Sequence, residues 1–349
     1  MNKLQRSWLL LRSSLSVIGC NKQLLVMKSI LFLLLVSSCA AFAATEEQIQ
    51  KTFGLDPGGT LVVDVDFGSI DVTTNSTSEV AVDVWRKITR RNKADEEAFL
   101  RDNPVKLSQE GTTVTVKSRA AHKLGWLSGW RNRNEAKYTV RVPARFNARL
   151  KTSGGGIGVS DLTGEVKADT SGGGLRFARV HGPIDGNTSG GGIRVNDCEG
   201  NIRIETSGGG IDVLGGSGSL KGHTSGGAVL VKDFLGPAAV GTSGGGLTLE
   251  NIKGALSGTT SGGAIKAVLI SPVPGAVTLS TSGGGVTLRV PESAAFNLDA
   301  STSSGSVSCE LPVTVQGKLQ RSRLRGVVNG GGEAVTLRSS GGGIHVNKL

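Results

Sequence analysis

Apolar and polar residues alternate along most of this chain in short runs, never at helical spacing. After Thr152 the apolar positions are Ile157, Val159, Leu162 and Val166, and after Thr242 they are Leu247, Leu249, Ile252 and Leu256. Each set describes two short strands with one buried face, separated by glycine. The unit reads T-S-G-G-G-[ILV]-x-[VLF]-x-x-apolar-x-G-x-[ILV]-x-x-x. Its Thr-Ser-Gly start recurs every 18 residues at Thr152, Thr170, Thr188, Thr206, Thr224, Thr242 and Thr260. It returns at Thr281 and Thr302 after steps of 21, and Ser339-Ser340-Gly341-Gly342-Gly343-Ile344 closes the chain.

A fixed period without drift means a repeated structural unit. Eighteen residues are too few for two strands and a crossover helix. They suit one turn of a β-solenoid, in which each strand pairs in parallel with its copy in the next coil. The predicted fold is all-β, a right-handed parallel β-helix. Nine such coils at ~4.8 Å each would make a rod of roughly 40 Å. Glycine takes the corners, where positive φ or close approach demands it.

The regular pattern begins before its obvious copies. Leu61, Val63, Val65 and Phe67 share a face, and Gly68-Ser69-Ile70-Asp71-Val72 echoes Gly209-Gly210-Ile211-Asp212-Val213. Further strands are expected at Val80–Val84, Val114–Lys117 and Tyr138–Val142. Asp95, Glu96 and Glu97 before Ala98-Phe99-Leu100 predict a short helix capped by Asn92 and ended by Pro104. Arg141-Val142-Pro143 leads to Thr152, and Arg289-Val290-Pro291 leads to Thr302 at similar spacing. The segment from Gly326 to Val346 is expected to be an irregular final coil that caps the solenoid.

The serial Ser-Gly-Gly-(Gly)-Ile-x-Val coils, the Gly-Ser-Ile-Asp-Val start at 68–72, the Val142-Pro143 entry and the ending at 330–346 resemble the bacterial "putative adhesin" family, a domain of unknown function, over roughly residues 58–349. The resemblance implies a β-helix and a surface or periplasmic binding role. It carries no established active residues.

Composition changes the picture in two places. Met27-Lys28-Ser29, the apolar run Ile30 to Val36 and the small-x-small site Ala41-Phe42-Ala43 read as a secretory signal peptide, with Met27 the expected start and one unusually long leader over 1–43 the alternative. Val36-Ser37-Ser38-Cys39 also fits a lipoprotein signal, with Cys39 lipidated; cleavage before Ala44 and lipidation at Cys39 are competing readings. Both place the mature chain outside the cytoplasm. Three regions follow: a leader at 1–43, an N-terminal β segment at 44–150 that caps or begins the solenoid, and the repeat body at 151–349. The formal charge of +11 is local, because residues 86–150 hold sixteen bases against six acids while residues 151–349 hold seventeen against fourteen. The mature cysteines, Cys198 and Cys309, fall several coils apart, so no disulfide is expected between them.

Candidate chemistry is sparse. The Thr-Ser-Gly-Gly tract precedes a strand, whereas a phosphate loop needs a helix N-terminus, so it reads as a ladder of hydroxyls and corner glycines. Asp161, Asp197 and Asp233 recur in alternate coils about 9–10 Å apart, too far to share a metal, and read as turn formers. No metal-ligand motif, cofactor motif or nucleophile–base set is present, and His122, His181, His223 and His345 occupy unrelated contexts. The non-repetitive candidate is the basic aromatic segment with Arg119, Lys123, Trp126, Trp130, Arg131 and Arg133, continued by Lys137. It suits an anionic lipid surface, a glycan or an envelope protein; the competing reading has its tryptophans covering the N-terminal end of the solenoid. Nucleic acid fits the charge but not an exported protein. The expected function is that of a non-enzymatic envelope adhesin or scaffold without cofactor. The alternative is an enzyme acting on envelope polysaccharide along a solenoid face.

Overall fold

The computed structural model describes residues 44–119, 133–315 and 320–349. The leader, with Cys39, lies outside the described residues. Residues 45–349 form one compact unit.

The two strands that follow each glycine tract do what the alternation asks of them. One strand of each coil joins a first sheet, as in Ile157–Ser160, Leu175–Ala178 and Ile193–Asn196. The other joins a second sheet, as in Val166–Thr170 and Ile184–Thr188. Pairing runs in parallel with an offset of one repeat: Leu175 faces Ile193, Phe177 faces Val195, and Thr170 faces Thr188. Inward positions from both sheets, such as Val159, Phe177, Ile204, Leu249 and Leu288, are buried in one continuous core.

The first sheet has 14 strands and the second 15. Setting aside the strands joined through antiparallel pairs, two in the first sheet and three in the second, leaves twelve parallel rungs rather than the nine expected. The additional rungs are 60–75, the rung made by Thr113–Ser118 and Arg133–Pro143, and the terminal segment, 334–348. None of them carries the full eighteen-residue motif.

Rung order departs from chain order at both ends. Rung 60–75 lies between the rung of Thr113–Ser118 and Arg133–Pro143 on one side and rung 147–160 on the other. At the far end, 334–348 is not terminal. It lies between rung 277–290 and rung 296–309. Side chains report the same order: Ser339 Oγ donates to Gly284 O at 2.9 Å, and Thr302 Oγ1 donates to Gly342 O at 2.7 Å. The expected cap is therefore an intercalated rung, and the second sheet is closed by an antiparallel hairpin, Val313–Val315 and Arg323–Val328, laid on Phe296–Thr302. The two Arg-Val-Pro segments are the connections that skip a rung, after Pro143 and after Val290.

The helix, α1 (Lys93–Asp102), is capped as expected, with Asn92 Oδ1 accepting from Asp95 N at 2.8 Å. It belongs to an N-terminal cover over the antiparallel strands Thr45–Gly54 and Glu79–Thr89. There Arg86 is fully buried, paired with Glu47 and donating to Asn103 O at 2.7 Å. Buried Glu96 accepts from Thr45 Oγ1 at 2.7 Å, from Thr45 N at 3.0 Å and from Arg90 N at 2.9 Å.

The two edges between the sheets are built differently. At the glycine corner the threonine is buried, and its hydroxyl donates to a carbonyl of the previous rung: Thr188 to Gly173 O at 2.7 Å, Thr206 to Gly191 O at 2.7 Å, Thr224 to Gly209 O at 2.7 Å. The hydroxyls do not stack on one another. The second glycine is required by close approach: a Cβ on Gly209 would meet Gly191 O at 2.2 Å. At the opposite corner the backbone is left-handed, with φ of 62° at Asp161, 51° at Arg179, 50° at Asp197 and 56° at Asp233.

Candidate glycine-floored groove

Flanking the glycine corner are two shallow grooves that run across the rungs. The first, enclosing about 700 Å³, lies on the outer face of the first sheet. The third glycine of successive corners, Gly156, Gly174, Gly192 and Gly210, forms its floor, because no side chain rises there. Outward positions of the adjoining strands form its wall: Asp71, Gly158, Arg176, Arg194 and Asp212, in register across five neighbouring rungs. Ser69 and Thr73 close one end.

The wall is electrostatically mixed. Arg194 lies 3.3 Å from Asp212, and Lys137 lies 3.7 Å from Asp71. Arg176, exposed between Gly158 and Arg194, makes no ion pair with another described residue and is the wall cation most available to a ligand. Continued toward the chain's start, the floor column passes from Ser69 to Lys137 and then Trp85, by strand register. Trp85 is half-buried on the same outer face and donates from Nε1 to Glu46 Oε2 at 3.3 Å. The sequence reading assigned Val80, Val82 and Val84 to a strand and overlooked Trp85, which alternates with them.

The second groove, about 590 Å³, lies on the second-sheet side of the corner. Ser153, Ser171, Ser189 and Ser207 line it opposite Lys151, Asp169, Asn187 and Glu205. Its lining is polar and includes His223, but no Phe, Tyr or Trp.

Of the residues singled out in the sequence, Lys123, Trp126, Trp130 and Arg131 lie outside the described residues. Arg119 and Arg133 are the described residues on either side of their segment. Arg119 Nε donates to Asp64 Oδ1 at 2.6 Å, and Nη1 lies 3.7 Å from Asp66. The bond to Asp64 raises its pKa further above the ordinary guanidinium value. Arg133, exposed, opens a first-sheet strand. The two arginines thus belong to different sheets.

In the aspartate column, side chains of neighbouring coils bond to one another. Arg179 donates to Asp161 from Nε at 2.6 Å and from Nη2 at 3.0 Å, which lowers the Asp161 pKa. Asn251 donates to Asp233 Oδ1 at 2.9 Å. Among the described residues no three His, Cys, Asp or Glu side chains converge as a metal site. Ser308 Oγ and His345 Nδ1 are 2.9 Å apart, but they are an exposed cross-strand pair. Cys198 is buried and free, its pKa raised by burial, and Cys309 is also free.

The sequence profile of the Toastrack DUF4097 family matches residues 60–347. The chain belongs to that family. Among solved structures it is similar to a "putative adhesin" from Parabacteroides distasonis, at 11% identity over 87% of this chain and 97% of that one, with a TM-score of 0.37. It is also similar to a "putative adhesin" from Bacteroides fragilis, at 10% identity, 87% and 97% coverage and a TM-score of 0.29. A third is a "putative lipid binding protein" from Parabacteroides distasonis, at 11% identity, 87% and 97% coverage and a TM-score of 0.28. No curated protein matches the chain. No helix among the described residues is long and apolar enough to cross a membrane.

Proposed function

We propose that this Toastrack protein is a non-enzymatic binding module of the cell envelope whose first-sheet groove holds a glycan chain. The observation that carries this reading is the groove itself: a bare glycine floor crossing successive rungs, a wall of hydrogen-bonding side chains, and Trp85 in line with its end. Rungs spaced by about 4.8 Å offer one polar position for roughly each sugar ring of an extended chain. Trp85 supplies a flat apolar face for a ring, with its N–H already satisfied. Arg176 adds attraction for a uronate or phosphorylated sugar. The leader supports an extracytoplasmic location, with Cys39 as the lipid anchor if the lipoprotein signal is the one used. The basic segment with Trp126 and Trp130 would add a second binding element for envelope glycan, protein or anionic lipid.

The enzyme alternative is the weaker reading. The groove's carboxylates, Asp71 and Asp212, lie four rungs apart. At about 4.8 Å per rung that is roughly 19 Å, well beyond the ~5–9.5 Å that separates the two carboxylates in most glycoside hydrolases.

Gly158→Phe provides the test. A Cβ at Gly158 meets only the Asp71 carboxylate, at 3.0 Å, so the side chain fills the groove without disturbing the coil. Retention on insoluble envelope polysaccharide is expected to fall at least about tenfold in Gly158→Phe and in Trp85→Ala, with unchanged melting temperature. Equal retention by all three proteins would remove the groove from consideration, and release of soluble sugars from the polysaccharide would replace binding by catalysis.

A further inference from the structure

The intercalated C-terminal coil leads to a conclusion independent of the groove. Rung 334–348 fills a slot that the chain had already passed: after Val290 the connection skips one position, builds rung 296–309, lays down the antiparallel strands Val313–Val315 and Arg323–Val328, and only then returns. The slot is two-sided. Its strands are satisfied by Val277–Thr281 and Val286–Val290 on one face and by Phe296–Thr302 and Val307–Cys309 on the other.

Nothing in the side-chain code makes the coil specific to its own chain. Ser339-Ser340-Gly341-Gly342-Gly343-Ile344 presents the same buried hydroxyl, bare corner and apolar strand start as Thr281-Ser282-Gly283-Gly284-Gly285-Val286. The coil is joined to the hairpin through Asn329-Gly330-Gly331-Gly332, where φ is 46°, 86°, 85° and 159°. Such a glycine hinge can open without steric cost. It is held by few side-chain bonds: Asn329 Nδ2 to Glu292 O at 2.8 Å and to Ala294 O at 2.9 Å, and Asn297 Nδ2 to Gly332 O at 2.6 Å. In chain order, rungs 277–290 and 296–309 both precede the coil that separates them.

We propose that the slot accepts the C-terminal coil of a second copy of this chain, giving a reciprocal, two-fold, coil-swapped dimer. Each swapped coil makes the same contacts as in the monomer, so the balance is set by concentration. A coil on a short flexible tether meets its own slot at an effective concentration of about 1 mM. The swapped form is therefore a small minority near ~10 µM and becomes substantial when folding occurs at hundreds of micromolar.

The test uses residues 44–349 carrying Cys309→Ser, so that the remaining thiol, Cys198, is buried. Thr287 and His345 face each other across the slot boundary on the outer face of the first sheet. One variant carries Thr287→Cys and another His345→Cys, and the two are unfolded, mixed, refolded and oxidised. A disulfide-linked dimer of the two variants, rising from about one part in a hundred at ~10 µM toward tens of percent at several hundred micromolar, is the expected result. A single chain carrying both substitutions should cross-link internally and run as a monomer when refolded dilute. Shortening the hinge by deleting Gly330 and Gly331 should shift the population to dimer even when dilute, because the coil no longer reaches back. Internal cross-linking of the double variant with no mixed dimer at any concentration would overturn the proposal. Absence of the internal cross-link would overturn it as well, since the coil would then not occupy the slot.

Discussion

At the second glycine of each corner there is no room for a side chain. A Cβ at Gly209 would sit 2.2 Å from the carbonyl oxygen of Gly191 and 2.4 Å from Gly191 C and Gly192 N, all backbone atoms with no flexible side chain to give way. Gly209→Ala is expected to cost at least about 2 kcal/mol in a denaturant titration. Gly210→Ala should cost about 1 kcal/mol or less: its Cβ lies 3.0 Å from Ala228 O, and alanine already stands at the equivalent positions 228 and 264. The threonine before the glycines is the second fixed residue. Thr224 is fully buried, and its hydroxyl donates to Gly209 O at 2.7 Å while accepting from Gly227 N at 3.3 Å. Thr224→Val keeps the shape and removes both bonds, for an expected loss of about 1–3 kcal/mol, whereas Thr224→Ser should retain most of the stability. That these residues form a corner was legible in their periodicity. Which glycine is indispensable was not, because all three look alike in sequence: at Gly208, Gly209 and Gly210 a Cβ would lie 3.3, 2.2 and 3.0 Å from a neighbouring carbonyl, and only the second distance is impossible. The groove was hidden for a related reason: it is made by the absence of side chains at the third glycine, and an absence of side chains in sequence reads simply as a turn.

Among elements, the terminal rung is the one whose place has to be specified by more than the repeat. Its Arg338 donates from Nη1 to Asp299 O at 2.7 Å and to Asp299 Oδ1 at 3.1 Å, while Arg325 of the closing hairpin donates from Nε to Asp299 Oδ2 at 3.2 Å. One carboxylate thus ties the intercalated rung, the rung outside it and the hairpin together. Burial works against ionisation of Asp299, but the two guanidiniums outweigh it, and the pKa is lowered from the ordinary value. A carboxyl with a lowered folded-state pKa binds fewer protons than in the unfolded chain. Its stabilisation is therefore complete above the unfolded-state value, near 4, and is lost as pH falls through the folded-state value. Backbone amides of 334–348 should accordingly exchange faster relative to the central rungs as pH drops below about 4, once intrinsic exchange rates are divided out. Asp299→Asn should show that faster relative exchange already at pH 7, by about 1 kcal/mol or less. A rung whose relative protection is the same in both proteins and at both pH values would assign the anchoring to the backbone ladder alone. Rung order itself was not legible in the repeat, since any coil fits any slot. The one trace of it was the repeated Arg-Val-Pro, noticed as an echo but marking in fact the two connections that skip a rung.

For the molecule as a whole, coils that touch only their neighbours make length a free variable. Core volumes are balanced mainly within a coil and with the next one: a Cβ on Gly186 would meet the Phe177 ring at 3.0 Å, so the large residue and the bare position belong to the same repeat. Removing a whole repeat should therefore leave the remaining core intact. Deleting residues 225–242 joins Thr224 to Ser243 and recreates the corner tract, and it removes a rung that does not line the first-sheet groove. This variant is expected to fold with one rung fewer and to bind envelope polysaccharide as the parent does. Deleting residues 171–188 joins Thr170 to Ser189 in the same way, but it takes Gly174 and Arg176 out of the groove. It should fold comparably and bind more weakly. Circular dichroism and melting temperature check the first half of each expectation, and sedimentation with insoluble polysaccharide checks the second. Similar folding with a binding loss confined to the 171–188 deletion would assign recognition to this stretch of rungs. Equal binding by both variants would move recognition away from the groove, toward the segment between Arg119 and Arg133.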